Sequence, residues 1–341
     1  MVLPDSSYAV CDLMHYQPTT SYASSSGYSR LATASADLWT PRTTSGSVDM
    51  ITTLSTAPSG MPIGCPLIRG TSSGNQNQTR LVGAPYAAGS HKVIFASVMA
   101  QWADTSAYGT SAAYPGTSTG GFLEFTENAS TTATAMAAVC TVSNAANTVN
   151  NDGSFYLGLY NGINAPSVDT TFSQAIPNFN TSGVLPNAPV NIVTAYDVDT
   201  GISTLWLNQS SSAGSSTNLQ DVAVTNLANV AYVVLRQQAN MGDIIVSSLA
   251  VKVVTKPVPT ITGITRTGNN VVISFTSAPG SGGSASAEGT SNLSNAFTTV
   301  GSVTINEPSS GNFTASFTVT GSQMFYRIAQ TGGTPTISFP F

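Results

Sequence analysis

The sequence predicts an all-β protein built as one large sandwich followed by a small one. Three observations carry this expectation. Short alternating or wholly apolar runs of strand length recur between Gly, Asn, Ser and Pro clusters along all 341 residues. Helical periodicity is almost absent. The apolar pattern also breaks once, at Thr255-Lys256-Pro257-Val258-Pro259, where prolines at alternate positions exclude a central strand and stiffen the connection.

In chain order, strands are expected near Met50 to Leu54, Val93 to Trp102, Gly121 to Glu127, Ala133 to Val142 and Ser154 to Tyr160. In the last of these, Phe155, Leu157 and Leu159 share one face, as a half-buried antiparallel strand requires. Further strands are expected near Pro189 to Tyr196, Ile202 to Asn208, Val230 to Arg236 and Asp243 to Val254. The polar stretch Asp197-Val198-Asp199-Thr200-Gly201 joins two of them as a hairpin. About nine strands of this kind predict a sandwich.

The expected domains are therefore 1–254, a linker at 255–259, and 260–341. The second has strand patterns at Val271 to Phe275, Phe297 to Val303, Phe313 to Val319 and Phe325 to Ala329. Its Ala278 to Thr290 segment, with Gly280, Gly282, Gly283 and Gly289, reads as a mobile loop.

Composition narrows the function. Only 7% of residues are charged, against about 25% in an ordinary soluble domain, while Ser and Thr number 91. The surface is thus expected to be hydroxyls and amides, which repel one another little, and a net charge of −5 adds weak protection against association. Such a chain suits either an ordinary secreted β-protein or a subunit packed into a fibre, sheath or lattice. The ten basic residues, three Lys and seven Arg, form no cluster, which argues against nucleic acid. No run of about 18 apolar residues is present, so no membrane-spanning helix is expected. The start, Met1 to Asp5, lacks the pattern of a signal peptide. Cys11, Cys65 and Cys140 allow one disulfide and have no metal-knuckle spacing.

A family resemblance rests on element order. The Trp-containing opening Gly27 to Trp39, Arg80 before a loop and Val93-Ile94-Phe95-Ala96-Ser97-Val98-Met99 come first. The hairpin ending Leu205-Trp206-Leu207-Asn208 and the closing Gly242 to Val251 complete the order. Together these resemble the concanavalin-like (LamG-like) jelly-roll domains of secreted proteins from Verrucomicrobia and Planctomycetes. The last eighty or so residues resemble the small fibronectin-III-like, immunoglobulin-type sandwich that ends many such proteins. The elements concerned are Gly268 to Phe275, Thr290-Ser291-Asn292-Leu293 and Phe325-Tyr326-Arg327-Ile328, with Phe297 in place of a common Trp. The resemblance implies an extracellular or cell-surface setting.

Jelly rolls that cleave glycans carry carboxylates alternating along one strand, and that spacing is missing: Glu124 and Glu127 lie three apart, on opposite faces of a strand. Asp197 and Asp199 lie two apart, beside Thr200-Gly201, and read as turn residues, with a calcium site as the alternative. His15 and His91 have no metal-binding spacing, and no nucleophile elbow or phosphate-cradling glycine motif occurs. No enzyme and no cofactor are expected. Trp102, Tyr108 and Tyr114, around one Gly/Ser-rich loop, are the candidate sugar-stacking side chains, although Trp102 also fits a core position.

The leading expectation is a structural or adhesive surface protein that associates with copies of itself through edge strands and neutral packing. A glycan-binding, lectin-like module for polysaccharide is the alternative, and a jelly-roll viral coat protein the third.

Overall fold

The structure, a computed structural model, describes residues 8–12, 14, 29–30, 38–41, 51–52, 65–68, 76–104, 121–130, 134–143, 155–162, 167–174, 190–207 with Pro189, 218–222, 229–236, 243–256, 258–277, 285–319 and 325–330. No helix occurs among them, and none is long and apolar enough to cross a membrane. The chain divides into two compact units, one taking in Met1–Val254 and the other Thr255–Pro335.

The first unit opens with β1 (Tyr8–Asp12), β2 (Ser29–Arg30), β3 (Thr40–Pro41), β4 (Ile51–Thr52), β5 (Pro66–Ile68) and β6 (Gln76–Arg80). The longer strands follow: β7 (Lys92–Asp104), β8 (Leu123–Thr126), β9 (Met136–Ser143), β10 (Phe155–Tyr160) and β11 (Ser167–Gln174). It closes with β12 (Val190–Asp197), β13 (Ile202–Leu207), β14 (Asn218–Val222), β15 (Tyr232–Arg236) and β16 (Asp243–Thr255). They form two antiparallel sheets. One is nine-stranded, ordered β14-β13-β12-β7-β16-β5-β4-β2 with β1 also on β16, and the other is seven-stranded, ordered β11-β10-β9-β8-β15-β6-β3. Successive strands cross between the sheets, as in a jelly roll.

The core lies between the sheets. Ile94, Ala96 and Val98 of β7, Ile192 and Tyr196 of β12, and Val246 of β16 meet Leu123 and Phe125 of β8, Leu157 and Leu159 of β10, and Val233 and Leu235 of β15. The alternation of β10 explains its share: Leu157 and Leu159 point inward, and Tyr160 lies on the opposite face.

The nine-stranded sheet is buried on its other face too. Val93, Phe95, Val193, Ala195 and Trp206 form a second cluster there, with the Phe95 and Trp206 rings stacked at 6.3 Å. This accounts for the continuous apolar run of Val93 to Ala96, a pattern of strands covered on both sides.

One polar clamp joins the sheets. Asn161, after β10, accepts hydrogen bonds from the backbone N–H of Ala137 at 2.8 Å and from Ser203 Oγ at 2.5 Å, and its Nδ2 donates to Gly201 O at 3.1 Å. Thr194 Oγ1 donates to Ala137 O at 3.2 Å. Ala137 takes φ of 47°, a left-handed conformation that costs an L-residue about 1–2 kcal/mol, and the clamp holds both of its backbone polar groups. Asn161, Ser203 and Thr194 are all buried.

The second unit contains β17 (Thr260–Thr267), β18 (Asn270–Thr276), β19 (Ala285–Thr290), β20 (Thr298–Thr299), β21 (Thr304–Ser309), β22 (Asn312–Thr318) and β23 (Phe325–Gln330). A four-stranded sheet, β17-β18-β22-β21, packs on a three-stranded one, β20-β19-β23. Val271, Ile273, Phe275, Phe313, Ala315 and Phe317 fill the core against Ala287, with Tyr326 and Ile328 at its edge.

Two local expectations are corrected here. The supposed mobile loop Ala278 to Thr290 contains β19, whose Ala287 is fully buried: small residues at alternate positions let the sheets approach. The supposed strand Phe297 to Val303 is reduced to β20, after which Val300 turns into the core.

The three thiols are free, not bridged. Burial pushes Cys65 and Cys140 up to about 12 from an ordinary 9.0, only partly opposed by hydrogen bonding. The folded protein therefore holds these protons more tightly than the unfolded chain, so stability present below pH 9 should fall as pH rises towards 12. Urea midpoints measured from pH 8 to pH 11 should show this fall, and Cys65→Ala with Cys140→Ala should flatten it.

Candidate functional site

The two outer sheet faces differ in chemistry. That of the nine-stranded sheet is closed by the Phe95 and Trp206 cluster, whereas that of the seven-stranded sheet carries polar and charged side chains. Residues directly opposite in register share a face. Arg80, Tyr232 and Thr126 therefore form one row across β6, β15 and β8, and Gln78, Val234 and Glu124 form the next. Arg236 continues the same face of β15, two residues beyond Val234. Strands stand about 4.8 Å apart, so Gln78 and Glu124 are separated by about 10 Å at the backbone.

The grid runs from solvent into the protein. Arg80 is exposed, Tyr232 and Arg236 are half-buried, and Gln78, Thr126 and Glu124 are buried. Arg80 is set by its Nη2, which donates to Ala84 O at 3.1 Å, and its guanidinium lies 5.7 Å from the centre of the Tyr232 ring. Arg80 Nη1 also reaches Tyr232 Oη at 3.4 Å.

Arg236 Nη1 stands 3.6 Å from Glu124 Oε2, an ion pair whose carboxylate side chain is only 1% exposed. Gln78 Oε1, an acceptor, and Arg236 Nε, a donor, are buried atoms of this grid without a hydrogen-bond partner among the described residues. Leaving such groups unsatisfied costs about 1–3 kcal/mol each, which an ordinary structural face avoids. Both atoms are sealed from solvent, so a hydroxyl-bearing ligand that donates to the amide oxygen and accepts from the guanidinium reaches them only when neighbouring side chains move aside.

The neighbouring positions of the sheet are smaller. Ala138, Cys140 and Tyr160 cluster on β9 and β10, and Tyr160 Oη accepts from the Gly121 N–H at 2.5 Å. Gly121 approaches β9 so closely that an added Cβ would stand 2.8 Å from Val139 O, so only glycine lets β8 begin there.

Asp197 and Asp199 take different roles. Asp197 Oδ1 accepts from the N–H groups of Asp199 and Thr200 at 2.9 and 3.3 Å, closing the turn between β12 and β13. Asp199 holds the 89–91 loop: its Oδ1 accepts from Gly89 N at 2.7 Å and His91 N at 3.3 Å, and its Oδ2 lies 2.9 Å from His91 Nδ1. Among the described residues no group of three His, Cys, Asp or Glu side chains could hold a metal ion. Trp102 lies in β7, but its side chain, like Tyr108 and Tyr114, falls outside the described residues.

Sequence reasoning named Arg80 only as part of an element order and passed over Gln78, Tyr232 and Arg236 as site residues. The available signal was β6 itself, Gln-Asn-Gln-Thr-Arg, a strand with no apolar residue, which marks a sheet face turned away from the core.

No protein-family model matches the chain, and no curated protein does. Solved structures to which the chain shows similarity include a lectin from Bauhinia forficata in complex with GalNAc, at 10% identity and TM-score 0.29, covering 64% of this chain and 92% of that one. The exoplasmic/lumenal domain of VIP36 in its Ca2+/Man3GlcNAc-bound form matches at 7% identity and TM-score 0.31, covering 67% and 87%. The binding domain of botulinum neurotoxin serotype D matches at 7% and 0.31, covering 63% and 46%.

Proposed function

We propose that the first unit is a non-catalytic carbohydrate-binding module of an extracellular or cell-surface protein, and that the outer face of its seven-stranded sheet takes the glycan. The observation that carries this reading is the buried, unsatisfied pair on that face, Gln78 Oε1 and Arg236 Nε, beside the Tyr232 ring. Sugars offer what such a site lacks: hydroxyls that donate and accept within one ring, and apolar C–H faces for an aromatic side chain. Glu124 and Arg236 fix the polarity of the inner end, and Arg80 that of the outer. Glu124 is the one carboxylate on the described grid, so the paired acids of a glycosidase are not assembled there.

The test separates binding from folding. Gln78→Leu removes an acceptor that has no internal partner, so stability should hold or rise while affinity for polysaccharide falls about tenfold. Affinity electrophoresis in gels cast with neutral and acidic polysaccharides, alongside thermal melts, reads both quantities. A Gln78→Leu protein that loses stability and keeps its affinity would remove this face from consideration.

Self-association in a surface structure is the second reading. It is favoured by the large apolar side chains that the second unit leaves in solvent, with Leu293 64% and Ile264 53% exposed.

A further inference from the structure

Arg80 is exposed at the solvent end of the grid, and the chain holds its guanidinium in place. Nη2 donates to Ala84 O at 3.1 Å, Nη1 reaches Tyr232 Oη at 3.4 Å, and the guanidinium lies 5.7 Å from the centre of the Tyr232 ring. The turn that offers Ala84 O is itself tied down. The Ala84 N–H donates to Leu81 O, Tyr86 Oη donates to Val82 O, and Tyr86 and Val230 exchange both backbone hydrogen bonds just before β15. A side chain that ordinarily samples many rotamers thus presents its charge from one position.

That charge is not matched within the described part of the chain. The partners of Arg80 there are a carbonyl, a phenol hydroxyl and an aromatic ring, all neutral. The inner charges of the grid answer each other, with Arg236 Nη1 3.6 Å from Glu124 Oε2. Glu127, just past the end of β8, accepts from Asn128 Nδ2 at 3.3 Å and lies two strands from Arg80, about 10 Å at the backbone. This exceeds the screening length of about 8 Å at physiological salt. In a chain with fifteen acidic and ten basic residues, a fixed guanidinium without a carboxylate is a local reversal of sign.

We propose that Arg80 receives the anionic group of an acidic glycan, a uronate carboxylate or a sulfate ester, while the sugar ring that carries it lies against Tyr232. The inference rests on the glycan-binding reading of this face and names its substrate class. A guanidinium has five N–H donors; Ala84 O and Tyr232 Oη engage two, which leaves three for an oxyanion whose paired oxygens fit the fork. A neutral hydroxyl bonds the same donors but leaves the charge unanswered, and charge-assisted hydrogen bonds are roughly twice as strong as neutral ones.

Affinity electrophoresis of the full chain in gels cast with polygalacturonate, a sulfated galactan or a neutral galactan tests this, the first two separating carboxylate from sulfate. Retardation by at least one acidic polymer is expected, stronger than by the neutral one and weakened by added salt. Arg80→Gln should raise the dissociation constant at least about tenfold, with Arg80→Lys, which keeps the charge and loses the fork, falling between. The position is exposed, and thermal melts check that both variants fold. Retardation as strong on the neutral galactan, or retardation by the acidic polymers that neither variant changes, would overturn the inference while leaving glycan binding standing. Retardation by none of the three polymers would overturn both.

Discussion

Replacing Asn161 by Leu is expected to lower the stability of the first unit by about 3 kcal/mol or more, the largest single-site effect anticipated there. The side chain is buried and serves three groups on both sheets: the Ala137 N–H, the Ser203 hydroxyl and the Gly201 carbonyl. Leucine shares the branched shape but is bulkier and satisfies none of them, so each becomes a buried group without its partner. The left-handed Ala137 also loses the contact that holds it. Asn161→Asp keeps both acceptor bonds and should cost less than Leu. Urea unfolding followed by tryptophan fluorescence measures the difference, since Trp39 and Trp206 are buried in this unit. A loss below about 1 kcal/mol would show that the clamp is incidental to the sandwich.

Phe313→Ala is expected to cost about 3–5 kcal/mol and to unfold the second unit at a temperature where the first stays folded. Phe313 lies opposite Phe275 in the β18–β22 ladder, and their rings stack at 5.2 Å and 16° in the centre of a small core. The neighbouring rings of so small a core cannot close the hole without giving up their own contacts. Calorimetry should resolve two transitions, of which Phe313→Ala lowers one. Proteolysis of the variant near Lys256 to Pro259 should then release an intact first unit. Both transitions moving together would mean that the chain unfolds as one cooperative body.

The strongly apolar strands were legible in the sequence, because burial on one or both faces leaves period-two or continuous patterns. β7, β10, β12, β15 and β16 fall where Val93 to Trp102, Ser154 to Tyr160, Pro189 to Tyr196, Val230 to Arg236 and Asp243 to Val254 predict them. The weakly patterned strands were not. β17 is exposed along nearly its whole length and reads as Thr-Ile-Thr-Gly-Ile-Thr-Arg-Thr, and β19 is made of Ala, Ser, Glu, Gly and Thr. Such segments become strands through their neighbours' ladders, a non-local cause that no local pattern records.

The candidate site was illegible for a related reason. Gln78, Glu124 and Arg236 are far apart in the chain and meet only because β6 and β8 both pair with β15. Glu124 was weighed only against Glu127, its neighbour in sequence, whereas its charged partner is Arg236 across the ladder. The turn role of Asp197 could be read locally, but the hold of Asp199 on the 89–91 loop depends on bringing β7 beside β12.

The central claim is that the first unit holds a glycan on the outer face of its seven-stranded sheet and leaves it intact. The most direct measurement is retention of the full chain on a panel of immobilised neutral and acidic polysaccharides, with reducing ends assayed in the same samples. The account predicts retention on at least one of them, about tenfold weaker for Tyr232→Ala and for Arg236→Met, and no reducing ends released. Retention on none of the panel, or reducing ends that disappear with Glu124→Gln, would contradict it.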